Sequence, residues 1–277
     1  MPQLLARFAC ATLALAFVSP AQATRPLWEL GAGLTVLSLP DYRGSDVRNV
    51  HVLPIPYLAY RGEFIRADED GLRGLLYDSE RLELNVSVNG TLPSLTEDNP
   101  ARVGMEELSP TVEIGPTADF HLWWSVDRRT RLDLRLPLRT AITVESDPQQ
   151  IGWLFAPNLI LEMKDVAGHA GWDASVQAGP YFNDCEYNAY FYGVRPHEAT
   201  ATRPAYDASG GYSGAQLMLT LSKRFPRFWV GAFVRYDTLE GAVYTDSPLV
   251  ETRHAVSAGV GASWIFARSS RRVGEDE

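Results

Sequence analysis

Residues 131–139 read RLDLRLPLR, with Leu132, Leu134, Leu136 and Leu138 at every second position and Arg131, Asp133, Arg135, Pro137 and Arg139 around them. Successive side chains of an extended strand point to opposite faces, so this stretch makes a strand with one leucine face and one largely ionic face. A helix would scatter the same leucines around its circumference. Residues 81–89, RLELNVSVN, repeat the arrangement. Leu82, Leu84, Val86 and Val88 share one face, and Arg81, Glu83, Asn85, Ser87 and Asn89 share the other.

The pattern recurs along the chain. Residues 111–126 alternate Val112, Ile114, Phe120 and Leu122 with Glu113, Thr117, Asp119 and His121, and residues 256–266 alternate Val256, Val260 and Trp264 with Ser257, Gly259, Gly261 and Ser263. Twelve strands are expected, near 28–37, 53–60, 64–68, 72–77, 81–89, 111–125, 131–143, 153–162, 172–181, 215–223, 228–238 and 256–266. Ten is the alternative, if 64–68 and 72–77 form one bent strand. Turn signals such as Asp70-Gly71 and Asp127-Arg128 separate them. Short gaps alternate with long polar ones, notably 91–109 and 183–211. Such unequal ends are a habit of membrane barrels.

The first residues point to export. Arg7, a short apolar run over 8–18, and Ala21-Gln22-Ala23 describe a secretory leader, with cleavage after Ala23 and Sec-dependent export. The run is shorter than the ~20 residues of a spanning helix. One cysteine, Cys185, then remains, so no intramolecular disulfide stabilises the exported chain. Loss of Arg7 leaves 24 basic residues against 34 acidic ones. Such a chain is a poor nucleic-acid binder. Mean hydropathy is −0.14, yet the chain holds 7 Trp, 12 Tyr and 11 Phe. In a barrel wall only alternate residues need be apolar.

A soluble sandwich would turn its polar faces to bulk water. Here those faces carry glycine and serine, or charges of both signs, which suits a crowded polar lumen. A charge on the lipid face at mid-depth costs ~2–4 kcal/mol for Arg or Lys, so the leucines face lipid. Glu83, Glu113, Asp119, Arg131, Asp133, Arg135 and Arg139 are expected to face the lumen, as structural pairs or as a pore lining. Trp28, Trp124, Trp153, Trp172, Trp264 and Phe266 near strand ends are expected to form interfacial girdles. A lipid-exposed sheet edge would leave costly unpaired N–H and C=O groups, so the sheet must close. The expected architecture is all-β: a leader over 1–23, a closed antiparallel transmembrane β-barrel over 24–266, and a polar, disordered tail over 267–277.

Several stretches carry a resemblance: PDYRGSD (40–46), PIPYLAYRGEFIRAD (54–68), GLRG (71–74), PTVEIGP (110–116), YFYGV (190–194) and SPLVE (247–251). In this order they resemble the MltA-interacting protein family, also called MipA/OmpV. The resemblance implies an outer-membrane scaffold linking a murein transglycosylase to a peptidoglycan synthase of the penicillin-binding class. Other members resemble surface adhesins or drug-responsive outer-membrane proteins. The family offers no catalytic motif. Its barrels end in an aromatic at the extreme terminus, whereas here eleven residues follow Phe266.

The residues themselves offer little chemistry. His51, His121, His169, His197 and His254 lack metal-ligand spacing, and no cofactor motif is present. GGYSG (210–214) brushes against a nucleophile elbow but lacks the strand–elbow–helix context. Asp41, His51, His121, Ser125 and His197 could supply parts of a rim hydrolase, though no spacing pairs them. The alternatives to a scaffold are a small-solute channel and a surface receptor or adhesin, with a hydrolase last.

Overall fold

A computed structural model of the protein describes residues 24–68, 71–91 and 99–274. The leader expected over 1–23 lies outside them. In chain order the elements are β1 (Thr24–Pro26), β2 (Trp28–Pro40), β3 (Arg48–Arg61), β4 (Ile65–Asp68), β5 (Gly71–Asp78), β6 (Leu82–Thr91), β7 (Thr111–Trp124) and β8 (Thr130–Thr143). There follow β9 (Gln150–Phe155), β10 (Asn158–Met163), β11 (Trp172–Asn183), α1 (Cys185–Tyr192), β12 (Gly211–Arg224), β13 (Phe228–Thr238), β14 (His254–Arg268) and β15 (Arg272–Gly274).

β2 to β14 form one antiparallel sheet in which sequential strands are neighbours and β14 pairs with β2. β9 and β10 each pair with both β8 and β11. They are two halves of a single stave, interrupted at Pro157, whose ring cannot donate to the ladder. Counted so, twelve staves close the barrel. Hairpin β4–β5 is two strands, not one bent strand. Residues 69–70 between them, with Asp70, lie outside the described residues.

Thr24 and Gly274, the ends of the described chain, lie at one rim, with the turns after β3, β5, β7, β10 and β12. The loops after β2, β6, β8, β11 and β13 lie at the other. Short turns face the periplasm and longer loops the exterior. Between the rims the even-numbered face of β2 and β14 is exposed, with Leu34 at 62% and Val260 at 60%. Burying that face against acyl chains uses up most of the apolar residues that the strands possess.

Two expectations need correction. Trp124 does not join a girdle. A bulge between His121 and Trp123 shifts the register of β7 against β8. An extra residue flips every side chain beyond it. Trp123 takes the outward place at 52% exposure, and Trp124 turns to the lumen mouth, where Arg131 and Arg128 lie over its ring at 5.2 and 5.6 Å. The tail also has structure. β14 runs on to Arg268, and Arg272–Gly274 pairs with Thr24–Pro26 beside the periplasmic mouth.

The other aromatics stand at the rims. Trp172, Trp264 and Phe266 are exposed in the periplasmic half, Trp153 is exposed in the outer half, and Trp28 is half-buried beside Tyr60. Lys223 lies 5.4 Å from the Trp172 ring, an arrangement that lets its stem lie along apolar surface.

Candidate functional site

The outer mouth is roofed by a cap with a hydrophobic core of its own. Tyr42, Tyr192, Val194, Leu239, Tyr244 and Leu249 are buried together. They come from three loops far apart in sequence. Three stretches that carried the resemblance, 40–46, 190–194 and 247–251, therefore meet in one place. Tyrosine suits this spot because its ring packs while its hydroxyl still finds a partner. Tyr192 and Tyr244 stack at 3.7 Å between centroids. Tyr42 donates to the Leu249 carbonyl (2.8 Å), Tyr192 to the Arg43 carbonyl (2.8 Å), and Tyr244 to the Ser213 carbonyl (3.0 Å). Burial pushes the Tyr42 and Tyr192 hydroxyls above the usual phenol range, so they remain neutral donors.

Backbone geometry admits this packing. Gly44 sits at φ 104°, a region that side chains rarely adopt. Its carbonyl accepts from the amides of Glu251 (2.8 Å) and Thr252 (3.0 Å), tying the 41–47 loop to the 239–253 loop. The long polar stretch after β11 contains α1. Asp184 caps it by accepting from the Tyr187 amide (2.8 Å), and its other oxygen accepts from the Trp153 amide on β9 (2.9 Å). Gly152, at φ 122°, leaves the space that Asp184 and Tyr187 fill.

Arg43 links cap to wall. Its guanidinium ion-pairs with Asp237 (3.1 Å), donates to the Ser213 carbonyl (3.2 Å), and lies 4.2 Å from the Tyr181 ring centre. Burial opposes its charge, and the Asp237 carboxylate beside it favours that charge.

Below the cap, a cavity of about 1360 Å³ occupies the lumen. Its two walls differ. β4 to β8 carry linked charges. Arg66 bridges Asp78 (2.9 Å) and Glu83 (3.5 Å), while Arg73 bridges Glu83 (3.0 Å) and Asp68 (2.6 Å). Asn85 donates to Glu83 (2.8 Å) and Asp119 (3.0 Å), and Asp119 pairs with Arg135 (2.6 Å). Arg131 joins Asp133 (2.6 Å) to Glu162 (2.9 Å), with His121 on Asp133 (2.8 Å). Higher up, Glu113 accepts from Tyr187 of α1 (3.2 Å) and Arg139 donates to Ser87 (2.9 Å).

The structure thus brings Glu83, Asp119 and Arg135 into one network and Arg131 with Asp133 into a second. Glu113 and Arg139 stand apart near the cap. Sequence reasoning missed Arg66, Arg73, Asp68 and Glu162, and it missed Glu29, which holds Arg61 (3.4 Å) and Arg224. The first three sit on strands too short for a convincing period. The facing wall mixes rings with charges: β2, β3 and β13 turn Leu37, Tyr57, Trp229 and Phe233 inward, into room left by Gly231 and Gly259, beside the Arg61–Glu29 and Arg235–Asp237 pairs.

Ser125 and Ser213 are not joined to Asp41 or His197 by any contact among the described residues. Ser125 bonds Asp127 at the periplasmic rim (2.6 Å), whereas Asp41 and His197 belong to the outer loops. Ser213 is buried and donates to Gly211 and Asn188. Among the described residues, no group of three His, Cys, Asp or Glu side chains could hold a metal ion.

The two rims differ in charge. At the periplasmic rim exposed Arg128, Arg129, Lys164, Arg227, Arg268 and Arg271 outnumber exposed Glu63, Asp78, Glu80 and Asp127, and at the cap exposed Asp46, Glu106, Glu107, Glu145, Glu186 and Glu240 outnumber exposed Arg48, Arg195 and Arg253.

A closed twelve-stave barrel with a lipid-facing apolar band, short turns at one rim and long loops at the other is a bacterial outer-membrane β-barrel protein. Residues 32–266 match the family model of MltA-interacting protein MipA, and the chain belongs to that family. It is 25% identical over 214 residues to the outer membrane protein Omp26La of Vibrio anguillarum, covering 75% of this chain and 76% of that one. The match to OmpV of Vibrio cholerae serotype O1 has the same identity and coverage. Among solved structures, the CymD monoaromatic hydrocarbon channel aligns over 88% of this chain and 90% of its own, at 11% identity and a TM-score of 0.32. The outer membrane protein OprG of Pseudomonas aeruginosa aligns over 88% and 95%, at 8% identity and a TM-score of 0.24.

Proposed function

We propose that this barrel is a non-enzymatic docking protein of the outer membrane. It presents its periplasmic rim to peptidoglycan-remodelling enzymes: a murein transglycosylase of the kind for which the family is named, and a penicillin-binding synthase. The carrying observation is the contrast between the ends. The outer mouth is roofed by a packed cap and much of the lumen charge is internally paired, while the periplasmic rim leaves its cations exposed. Opposed charge speeds encounter and fixes register between partners.

The test uses the full barrel in nanodiscs and a purified transglycosylase. Binding is expected at low salt, weakening as salt rises. Combined Arg227→Ala, Arg268→Ala and Arg271→Ala changes should lower affinity by about tenfold or more. Absence of binding at low salt refutes the reading.

The cavity favours a second reading, a small-solute channel. Single-channel recording in a planar bilayer decides it: silence at all salt concentrations rejects an open axial pore.

A further inference from the structure

We propose that the outer half of the lumen holds a binding site for a small solute bearing a carboxylate or phosphate group. The guanidinium groups of Arg139 on β8 and Arg235 on β13 take the acid group, beside Tyr181 of β11.

Each arginine is held by one nitrogen and keeps the rest of its fork open. Arg139 Nε donates to Ser87 (2.9 Å), and Arg235 Nε donates to Asp237 (2.8 Å). Among the described residues the Nη groups of both lack a hydrogen-bond partner. Both side chains border the cavity. A guanidinium offers its N–H donors in a planar fork, and two parallel bonds from it match a carboxylate or a phosphate. Tethering Nε beforehand reduces the freedom that the side chain loses when its Nη groups take an anion.

The surroundings leave positive charge toward the solute. Asp237 is 2% exposed, against 30% for Arg235 and 19% for Arg43, which share it. No Asp or Glu of the described residues lies within ion-pair distance of Arg139. Glu113 attracts it from farther off, but is buried and already accepts from Tyr187 (3.2 Å) and Asn89 (3.4 Å). Among the described residues, twelve arginines and lysines border the cavity against seven aspartates and glutamates. Elsewhere in the lumen Asp68 and Glu162 are more exposed than the arginines they hold, so the cations facing the cavity around Tyr181 are a local feature. A chain of formal charge −9 thus places accessible cations in its interior. A cleft with low-dielectric walls concentrates the field of such charges.

Tyr181 lies between the two arginines and interacts electrostatically with both. Its hydroxyl donates to Gln216 (2.7 Å), whose amide donates in turn to Asn158 (3.1 Å). These three side chains also border the cavity and offer polar edges to the remainder of the solute. The same cavity is bordered at the periplasmic rim by Trp124, Arg128 and Lys164, so a solute approaches from that side without passing the cap.

The test is calorimetric titration of the full-length mature barrel in nanodiscs, at low salt, with succinate, inorganic phosphate and putrescine. Saturable heat is expected with at least one of the two anions and none with putrescine. Which anion binds tells carboxylate from phosphate recognition. Arg139→Gln and Arg235→Gln should each weaken binding by about tenfold, the equivalent of one charge-assisted bond. Arg48→Gln, on the outer rim, should stay within about twofold. No saturable heat with either anion, equal heat with putrescine, or unaltered affinity in both lumen variants overturns the proposal. Gel migration before and after boiling verifies closure of each variant. If the lumen variants fail to close, arginine modification by phenylglyoxal on the unmodified barrel decides. The bound anion should slow modification of Arg139 and Arg235 but not of Arg48, and equal rates with and without anion overturn the site. The site depends on neither docking nor conduction, so the failure of either functional reading leaves these titrations decisive.

Discussion

The cap and the lumen below it are buried by opposite means. The cap holds stacked tyrosines and leucines whose hydroxyls reach main-chain carbonyls, an ordinary hydrophobic core. The lumen wall of β4 to β8 holds arginines and carboxylates linked in chains. The difference follows from where apolar side chains are spent. A strand in lipid must turn its leucines outward, so the inward face is left with polar residues that must satisfy one another. Loops above the membrane have no lipid to face and can bury their apolar residues against each other.

The largest effect should come from the cap. Tyr244→Ala removes a fully buried ring and one end of a stack, at a cost of about 3–5 kcal/mol. Trypsin should then cut at Arg203 or Arg253 while the barrel keeps its distinct unboiled gel migration. Collapse of both would show that cap and barrel form one cooperative unit. Asp119→Ala comes next, because it removes the carboxylate that meets the Arg135 guanidinium at 2.6 Å. About 3 kcal/mol is expected in unfolding titrations, less where lumen water solvates the cation. Adding Arg135→Met should recover part of that loss, which a packing defect would not allow.

A smaller effect concerns pH. Burial and the neighbouring Asp46 push the Glu251 carboxyl above the usual carboxylate range. For an acid raised on folding, the charged form is disfavoured in the cap. The junction of the 41–47 and 239–253 loops should therefore loosen as pH rises from the ordinary glutamate value through the raised one. Glu251→Gln should slow proteolysis of the cap at pH 7 and leave it unchanged at pH 4. Equal rates at both pH values would remove Glu251 from the account. The smallest change in stability should come from the periplasmic rim. Arg227→Ala should stay within about 0.5 kcal/mol of the parent, so any loss of partner binding there reports contact rather than folding.

The staves were legible because period two is a local property. Each of the twelve expected runs coincides with a stave, and even the interrupted one, near 153–162, was read as one. Trp124 was assigned to the wrong face because a single extra residue in β7 breaks the period, and neither composition nor alternation marks that residue. The cap was illegible for another reason. Tyr42, Tyr192 and Tyr244 are about 50 to 200 residues apart, and each sits among polar neighbours that read as loop.

What the residues alone determined is sidedness: leucine and arginine at alternating positions can be reconciled with a membrane only as a closed wall with the charges inside. What only the tertiary structure decided is pairing. Which arginine meets which carboxylate and which loops share a core depend on register across strands. Register is set by bulges, turn lengths and long-range packing, none of which local alternation encodes.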